Sequence, residues 1–311
     1  MKKIALLLPT LNAGLLWEDL INSINVQTLR IDKKLILDSG SKDKTVELAK
    51  QNNFEILTID KKDFDHGYAR QILANAVEDC DILIYLTQDC ILADNNSLKN
   101  LVKAFENSNV GLAYGRQLPR KKAGILESHA RLFNYPAKSV VKSLSDKDKM
   151  GIKTASCSNS FAAYRRKALE DVGGFPLSSI FGEDVIVGGQ MLLKGWDIAY
   201  IAEATGYHSH DYTIKEEFKR YFDCGVFHRS NDWLLAEFGS ANGEGLKFIK
   251  SELNTIFKNN PLLLPKMAGS TAAKWLGYKL GLNYKKLPDN LRKGLSMHKS
   301  YWDKQQKHLQ N

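Results

Sequence analysis

Residues 82–90 read ILIYLTQDC, an apolar run that is soon followed by an acidic residue, Asp89. An uninterrupted apolar run of this length is typical of a strand that is buried on both faces of a parallel sheet. Open α/β sheets bind ligands just beyond the carboxyl ends of such strands, where Asp89 lies. The stretch therefore predicts an α/β fold with Asp89 at its ligand-binding edge.

The residues on either side of this strand alternate between short apolar runs and helical periodicity. Before it, we predict strands at 4–8, 34–37 and 55–59, each followed by a helix. After it, we predict strands at 111–115, 161–164 and 198–201, helices at 123–133, 183–193 and 216–227, and a polar loop at 142–153. This order predicts a Rossmann-like, mostly parallel sheet with helices on both faces.

The charge of the chain is concentrated at its C-terminal end. Glycines cluster between 238 and 245, and we place there the boundary between a catalytic domain, 1–239, and a helical extension, 240–311. The extension contains 13 Lys and Arg against 4 Asp and Glu, so its net charge of +9 equals that of the whole chain. A basic segment of this kind suits anionic lipid, a phosphate-bearing acceptor or nucleic acid, or is a solvated face without a partner.

The extension also has an amphipathic character. Leu246, Ile249, Leu253 and Ile256 share one helix face, and Trp275 stands among lysines. Basic residues interleaved with aromatic ones suit an anionic membrane surface. The alternative is that these helices pack on the catalytic domain or form a homodimer contact.

The sequence predicts a cytoplasmic protein, peripheral on the inner face of the cell membrane if the extension binds lipid. No apolar run approaches the roughly 18–20 residues that span a bilayer. The apolar start is too short for a signal peptide and lacks a cleavage site. The four cysteines show no CxxC spacing, so we expect buried thiols without a disulfide framework or zinc site.

Three residues are candidate ligands of a divalent cation. Asp89 leaves the sheet at a fixed place, and Mg²⁺ or Mn²⁺ prefers oxygen ligands such as a carboxylate with substrate phosphates. His208 and His210 follow the last predicted strand, and a neutral imidazole would complete the shell. Because they are two residues apart, we expect only one to face Asp89 if the chain is extended there. The alternative for Asp89 is a turn residue without a ligand.

Glu183 and Asp184 begin a predicted helix directly after Gly182. Acidic residues are common in a first helical turn because they favour the helix dipole. The functional interpretation is a general base that takes a proton from an acceptor hydroxyl. We assign that role to Asp184, with Glu183 orienting the acceptor or the backbone.

A second group of residues is predicted to hold a nucleotide. Asp38 ends a strand and precedes the turn Ser39-Gly40-Ser41, where a carboxylate suits a base or ribose and backbone amides suit anions. Helix capping is the alternative. Arg70 could bind a phosphate or a base carbonyl. Further basic candidates for a diphosphate are Arg116, Arg120, Arg165, Arg166, Lys219 and Arg220. Neither GxGxxG nor GxxxxGK[ST] is present, which argues against dinucleotide oxidoreductases and P-loop NTPases.

Taken as a set, the motifs resemble those of inverting, GT-A-type (family 2-like) nucleotide-sugar glycosyltransferases of bacterial surface-polysaccharide synthesis. The general signatures are at 9–14, 38–43 and 183–184. The rhamnosyltransferase branch is resembled more closely at 64–70, 86–90, 114–120, 133–136, 158–165 and 207–212. The resemblance covers about residues 3–230, and it divides 1–239 into a nucleotide-binding part, about 1–115, and an acceptor part, about 116–239.

This resemblance implies transfer of L-rhamnose from dTDP-β-L-rhamnose, with inversion, to a glycan acceptor that is lipid-linked. It implies that Thr10, Asp38 and Arg70 hold the nucleotide, and its motifs add Pro9, Asn12, Gly40 and Gln88 to the nucleotide-sugar candidates. It implies that Asp89 is the metal ligand of an Asp-x-Asp-like motif and that Asp184 is the base. The chain departs from that motif, because Thr87 and Gln88 stand where acidic residues are common.

Three alternatives compete with this interpretation. A UDP-sugar-dependent glycosyltransferase would have the same fold, and donor screening separates the two. A non-catalytic nucleotide- or glycan-binding protein is permitted by the incomplete acidic motif. Nucleic-acid binding is disfavoured, because residues 1–239 carry no net charge and contain no recognised nucleic-acid motif.

Overall fold

The computed structural model describes residues 2–241 and 243–308. The strands are β1 (Ile4–Thr10), β2 (Lys33–Asp38), β3 (Glu55–Thr58), β4 (Ile82–Leu86), β5 (Ile91–Leu92), β6 (Val110–Leu118), β7 (Val140–Lys142), β8 (Phe161–Arg165) and β9 (Asp197–Tyr207). The helices of the first two thirds are α1 (Leu16–Asn25), α2 (Thr45–Gln51), α3 (His66–Asn75), α4 (Ser97–Lys103), α5 (Ile125–Asn134), α6 (Lys147–Met150), α7 (Arg166–Asp171) and α8 (Glu183–Leu193). The remaining helices are α9 (Ile214–Ser230), α10 (Asp232–Phe238), α11 (Glu244–Asn259), α12 (Leu264–Leu282), α13 (Asp289–Leu295) and α14 (Lys299–His308).

All the strands belong to one sheet, whose order is β3-β2-β1-β4-β8-β6-β9-β5, with β7 paired to β9. The first four strands are parallel to one another, as the βα succession predicted. β4 lies near the middle between β1 and β8, and each of its side chains is buried, which explains its uninterrupted apolar sequence. Asp89 therefore follows a central strand.

Apolar side chains cover both faces of the sheet. One core contains Leu7, Leu83 and Leu73 of α3, and the other contains Leu8, Ile84 and Leu20 of α1. Alternate residues of one strand thus point into opposite cores, as the pleat requires. This arrangement confirms the predicted α/β fold class with helices on both faces.

Two expectations differ from the structure. β6 and β9 extend beyond the predicted strands, and His208 directly follows the end of β9. The polar loop predicted at 142–153 is wrong, because β7 ends at Lys142 and the short helix α6 follows. The buried ammonium of Lys142 donates to the carbonyl of Lys153 at 3.1 Å and to the Tyr114 hydroxyl at 3.3 Å. These tertiary contacts order a segment whose polar sequence is typical of a loop.

The C-terminal extension is helical, as predicted, and it packs on the preceding helices. α12 lies against α9, and glycines permit the close approach: a Cβ on Gly281 would lie 2.0 Å from the Phe222 carbonyl oxygen. Likewise, a Cβ on Gly225 would lie 2.3 Å from the Tyr278 carbonyl oxygen. Of the predicted amphipathic face, Ile256 is fully buried, whereas Leu246 is 67% exposed. The packing alternative therefore describes part of the extension, and the boundary at 239/240 stays a prediction.

None of the helices in the described part of the chain combines the length and the apolar character needed to cross a bilayer.

Candidate active site

The carboxyl ends of β1 and β2 form a compact polar corner. Asp38 is buried, and its carboxylate accepts hydrogen bonds from the Thr10 hydroxyl at 3.1 Å and from the backbone amides of Gly40 and Ser41 at 3.0 and 2.8 Å. Gly40 has a φ of 94°, which a residue with a side chain rarely adopts. The turn therefore wraps around Asp38 and brings Thr10, Asp38 and Gly40 together, and their contact with a nucleotide stays a prediction.

The loop after β1 is joined to the loop after β2. Asn12, whose φ is 44°, donates its amide to the Ser41 hydroxyl and accepts from the amide of Lys42, both at 2.8 Å. Pro9 lies within β1, opposite Leu37. Asn12 therefore holds the two loops together, and direct contact of Pro9 or Asn12 with a nucleotide stays a prediction.

Gln88 connects the same loop to the end of β4. Its amide oxygen accepts from the Leu11 amide at 2.8 Å, and its amide nitrogen donates to the Leu11 carbonyl at 3.1 Å. Both polar ends of Gln88 are thus used by the backbone of one residue. Gln88, which stands where the expected motif has an acidic side chain, thus holds the loop after β1 to the end of β4, and its contact with a nucleotide-sugar stays a prediction.

Asp89, His208 and His210 form one cluster. Their candidate ligand atoms all lie within 4.8 Å of one another. His208 Nε2 is 3.4 Å from one oxygen of Asp89, and His210 Nε2 is 3.7 Å from the other. The two rings meet edge to face, with centroids 4.8 Å apart. Both histidines therefore face Asp89, and the expectation that only one would do so is wrong: β9 ends at Tyr207, so neither histidine belongs to the strand.

The electrostatics of this cluster keep the ligand atoms available. Burial raises the pKa of Asp89, but the hydrogen bond and charge of His208 outweigh that effect and hold it below its ordinary value. Burial lowers the pKa of His210 to about 4, and the charge of His208 adds to the fall. Arg120 also donates to Asp89 at 2.9 Å. A carboxylate and a neutral imidazole are the protonation states that bind a metal ion.

His208 is oriented from behind by Gln117. Nδ1 of His208 lies 3.0 Å from the amide oxygen of Gln117, which can only accept, so Nδ1 carries a proton and Nε2 is the nitrogen that faces Asp89. Gln117 is fixed in turn by Arg131, which donates to the same oxygen, and by the Ser158 hydroxyl, which accepts from its amide nitrogen at 2.8 Å. An outer hydrogen bond of this kind typically fixes a metal-binding histidine.

Asp184 occupies the first turn of α8. Its two oxygens accept from the backbone amides of Asn159 and Val185, both at 2.9 Å. Burial raises the pKa of its carboxyl to about 7, and the negative charge of Glu183 adds to the rise. A carboxyl whose pKa lies near neutrality is suited to exchange a proton at physiological pH. The predicted base therefore has the protonation behaviour its role needs.

Glu183 is held in a buried ion pair. One carboxylate oxygen lies 3.0 Å from Arg70 NH1 and accepts from the Asn159 side-chain amide at 2.8 Å. Burial would raise the pKa of Glu183, but the charge of Arg70 holds it below its ordinary value. Arg70 also donates to the His66 carbonyl at 2.9 Å. Both contacts use the same guanidinium nitrogen of Arg70. The predicted contact of Arg70 with the nucleotide stays a prediction.

The segment 158–160 joins the carboxylate pair to the metal-ligand cluster. The amide of Asn159 binds Asp184, and the hydroxyl of the next residue, Ser160, lies 3.5 Å from His208 Nε2. The predicted base and the predicted metal ligands are therefore neighbours across a single peptide segment. Residues 82–86 of β4 and 161–165 of β8 place this segment, because the two strands run antiparallel and the start of β8 meets the end of β4.

Arg165 and Arg116, both predicted to bind the nucleotide-sugar, lie in different parts of the sheet. Arg165 ends β8 opposite Ile82, at the far end of β4 from Asp89, and it donates to the carbonyls of Phe105, Asn107 and Val110. The prediction that Arg165 binds the nucleotide-sugar is therefore wrong, because the antiparallel course of β8 takes it away from the site.

Arg116 lies in the second half of β6, where its Nε donates to the Tyr135 carbonyl at 3.0 Å. Its diphosphate contact stays a prediction. The sequence patterns assigned no role to Gln117, Arg131 or Asn159. Gln117 and Asn159 lie in motifs that resembled the rhamnosyltransferase branch, which was the one signal that pointed to them.

The fold is that of GT-A glycosyltransferases. A mannosyltransferase from Pyrobaculum calidifontis, PcManGT, solved with GDP-Man and Mn²⁺, has a TM-score of 0.56 at 17% identity, covering 97% of this chain and 85% of that chain. S. aureus TarS 1-349 in complex with UDP-GlcNAc has a TM-score of 0.54 at 16% identity, covering 91% and 92%. At these identities the likeness shows the fold alone, and it confirms the predicted fold class.

Residues 6–173 match Glycosyl transferase family 2, and the chain belongs to this family. It is 49% identical over 302 residues to the O-antigen chain rhamnosyltransferase RfbN of Salmonella typhimurium, covering 97% of this chain and 96% of the relative. It is 42% identical over 304 residues to the O-antigen chain rhamnosyltransferase WbaN of Salmonella anatum, with the same coverage. The predicted resemblance to the rhamnosyltransferase branch is confirmed, and the chain is an enzyme of the glycosyltransferase class.

Proposed function

We propose that this protein transfers L-rhamnose from dTDP-β-L-rhamnose to a hydroxyl of a glycan acceptor, with inversion, during assembly of a cell-surface polysaccharide. The observation that carries the proposal is the short distance between Asp184 and the Asp89–His208–His210 cluster. Asn159 binds Asp184, a carboxyl with a pKa of about 7, and the next residue, Ser160, lies 3.5 Å from His208. Two relatives named as O-antigen chain rhamnosyltransferases support L-rhamnose as the transferred sugar.

The cluster fits a divalent cation. Ligand atoms bound at roughly 2.1 Å from one ion lie about 3 to 4 Å apart, and the oxygens of Asp89 lie 3.4 and 3.7 Å from the two imidazole nitrogens. Imidazole ligands favour Mn²⁺ over Mg²⁺ among the two predicted ions. When bound, the ion would neutralise charge that develops on the departing nucleoside diphosphate.

The residues of the chain supply the remaining parts of a single displacement. Asp184 accepts the proton of the attacking acceptor hydroxyl, and the amides of Asn159 and Val185 hold its carboxylate in one orientation. Glu183 keeps its negative charge through the ion pair with Arg70, which raises the basicity of Asp184. Because one hydroxyl attacks as the diphosphate leaves from the opposite face, the product is an α-L-rhamnoside.

The donor nucleotide would lie along the joined loops after β1 and β2. Asp38 is the candidate for contact with the base or the ribose. It ends β2, and hydrogen bonds from the amides of Gly40 and Ser41 fix the orientation of its carboxylate. Arg120, which donates to both the carbonyl and the carboxylate of Asp89, is placed to contact the diphosphate beside the cluster.

We also propose that the extension brings the enzyme to an anionic membrane surface, on the cytoplasmic side, where the acceptor is lipid-linked. Several large apolar side chains of the extension stay exposed, namely Leu246, Phe257, Leu262, Trp275, Leu276 and Leu291. They stand in the segment that carries the whole net charge of the chain. Flotation with anionic liposomes tests this; a protein that stays in the soluble fraction with and without anionic lipid would contradict it.

The donor is tested by incubating the purified protein with a panel of nucleotide-sugars and measuring release of the nucleoside diphosphate with Mn²⁺, with Mg²⁺ and with EDTA. We expect slow, cation-dependent release from dTDP-L-rhamnose alone. Equal or faster release from UDP-glucose or UDP-galactose would overturn the rhamnose assignment while leaving the cation site in place. Release that persists in EDTA at the same rate would overturn the cation site.

A further inference from the structure

A cavity of about 610 Å³ lies between the catalytic part of the chain and the C-terminal extension. Its walls come from α5, α9, α11 and α12, and from residues 210–212, which begin with the last residue of the metal-ligand cluster. His210 belongs to both the cluster and the cavity wall, and so the cavity begins where the proposed reaction takes place. The extension thus encloses space beside the site in addition to packing on α9.

Two buried carboxylates line this cavity without a partner. Glu127 of α5 is 9% exposed and Glu252 of α11 is 5% exposed. Within residues 2–241 and 243–308, neither side chain makes a hydrogen bond or an ion pair. Burial raises the pKa of Glu252, although the charge of Lys274 acts against the rise. Both side chains line the cavity and accept no hydrogen bond from the described chain, so their oxygens are available to hydrogen-bond donors of a ligand bound there.

Three of the five cationic side chains that line the cavity are paired with carboxylates. Lys274 lies 3.2 Å from Glu217, Lys153 lies 2.6 Å from Glu244, and Lys266 lies 3.7 Å from Asp211. The other two, Arg131 and Arg220, have no carboxylate partner among the described residues, so they balance Glu127 and Glu252 and leave the lining with equal numbers of acidic and basic side chains. That balance favours an uncharged ligand that is rich in hydroxyl donors over an anion.

Aromatic rings complete the lining. Tyr212 stacks on His210 with ring centroids 5.4 Å apart, and Phe248 meets Phe133 edge to face at 5.2 Å. Aromatic faces pack well against the C–H faces of sugar rings, while carboxylates accept from the hydroxyls on the ring edges. Hydroxyl donors, flat apolar faces and no net charge together describe a neutral glycan.

We infer that this cavity binds the sugar residues of the acceptor glycan, with Glu127 and Glu252 accepting hydrogen bonds from its hydroxyls. The inference rests on the proposed function, because it assigns the acceptor side of the same reaction. It gives the C-terminal extension a direct part in substrate recognition, since α11 supplies one of the two carboxylates.

The test uses the full chain and a panel of neutral methyl glycosides as probes: methyl α-D-galactoside, methyl α-D-mannoside, methyl α-D-glucoside and methyl α-L-rhamnoside. Saturation-transfer NMR measures their binding to the wild type, to Glu127→Gln and to Glu252→Gln. Glu78→Gln, which changes an exposed carboxylate outside the cavity lining, is the matched control. Thermal unfolding and dTDP binding are measured for each protein.

We expect at least one glycoside to bind the wild type and Glu78→Gln, and to bind about tenfold more weakly to each cavity variant, because a carboxamide has one acceptor fewer. The unfolding temperature should stay equal or rise, since an unpartnered buried charge is removed. Binding by no glycoside, unchanged binding in both cavity variants, or a clearly lower unfolding temperature in both would overturn the inference.

The same experiment separates this inference from the proposed function. Glycoside binding that depends on Glu127 and Glu252, in a protein that binds neither dTDP nor dTDP-L-rhamnose, would support the cavity and refute the proposed donor. Donor binding and cation-dependent release without any glycoside binding would support the donor and refute the cavity.

Discussion

Replacing Asp184 with Asn removes the proposed base while changing few atoms. The amide oxygen of Asn can still accept from the backbone amide of Asn159 or Val185, which bind the two carboxylate oxygens at 2.9 Å, but its amino group cannot. One lost hydrogen bond costs about 1 kcal/mol. Removing a carboxylate that repels Glu183 offsets that loss above neutral pH. The variant should therefore fold with nearly unchanged stability.

Its effect on transfer should be far larger. General base catalysis contributes roughly 10²–10⁴-fold to a rate, and Asn cannot take the proton of the acceptor hydroxyl. The assay is incorporation of radiolabelled rhamnose from dTDP-L-rhamnose into lipid-extractable glycan, with bacterial membranes as the source of acceptor. Asp148→Asn, an exposed residue without side-chain contacts in the described part of the chain, is the control and should transfer at the wild-type rate.

The pH dependence follows from the same carboxyl. Since burial and Glu183 raise its pKa to about 7, Asp184 is protonated at pH 6 and ionised at pH 8, so transfer should rise through neutrality. The folded state then binds a proton that the unfolded chain has released, and the stability this gives is present at low pH and lost as pH rises through about 7. Both effects should vanish in Asp184→Asn. A variant that keeps more than about a tenth of the transfer rate, or that folds but no longer binds dTDP, would refute the role of Asp184.

Three further substitutions test the supports of the site. Gln117→Leu removes the hydrogen bond that sets the tautomer of His208, so Mn²⁺ affinity, followed by electron paramagnetic resonance, should fall about 10–100-fold with the fold intact; unchanged affinity would argue against the cluster. Gly182→Ala places a Cβ at a φ of 74° and 2.7 Å from the ring of Phe227. Thermal unfolding should show a loss of about 1–3 kcal/mol in the free energy of unfolding. An unfolding curve equal to that of the wild type would show that the turn can relax. Glu183→Ala leaves Arg70 buried without its partner and should cost about 3–5 kcal/mol in urea unfolding, more than the double variant Arg70→Met with Glu183→Leu, which removes both charges; a double variant that is less stable than Glu183→Ala would contradict the buried ion pair.

Local sequence carried most of the information about the first half of the fold. The run 82–86 is apolar because β4 is buried on both faces, and the βα alternation before it follows from short parallel connections. From such signals the strand end at Asp89 could be predicted. The direction of β8 could not, because a strand that is buried on both faces has the same apolar run whether it is parallel or antiparallel to its neighbours, and Arg165 was misplaced for that reason.

The site could be predicted in its acidic and imidazole groups but not in the residues that support them. Asp89, His208 and Asp184 stand at element ends, where a single sequence shows them. Gln117 lies inside β6 and meets His208 only because β6 and β9 are paired, a contact between residues far apart in the chain. The cavity at the extension likewise depends on how α11 packs against α5, which amphipathic periodicity cannot specify.

The central claim is an inverting rhamnosyl transfer, and the anomeric configuration of the product tests it most directly. The enzyme would be supplied with Mn²⁺, dTDP-β-L-rhamnose and acceptor from bacterial membranes, and the released glycan examined by NMR at the new anomeric centre. Inverting transfer gives an α-L-rhamnoside. A β-L-rhamnoside, or a product that contains a different transferred sugar, would contradict it.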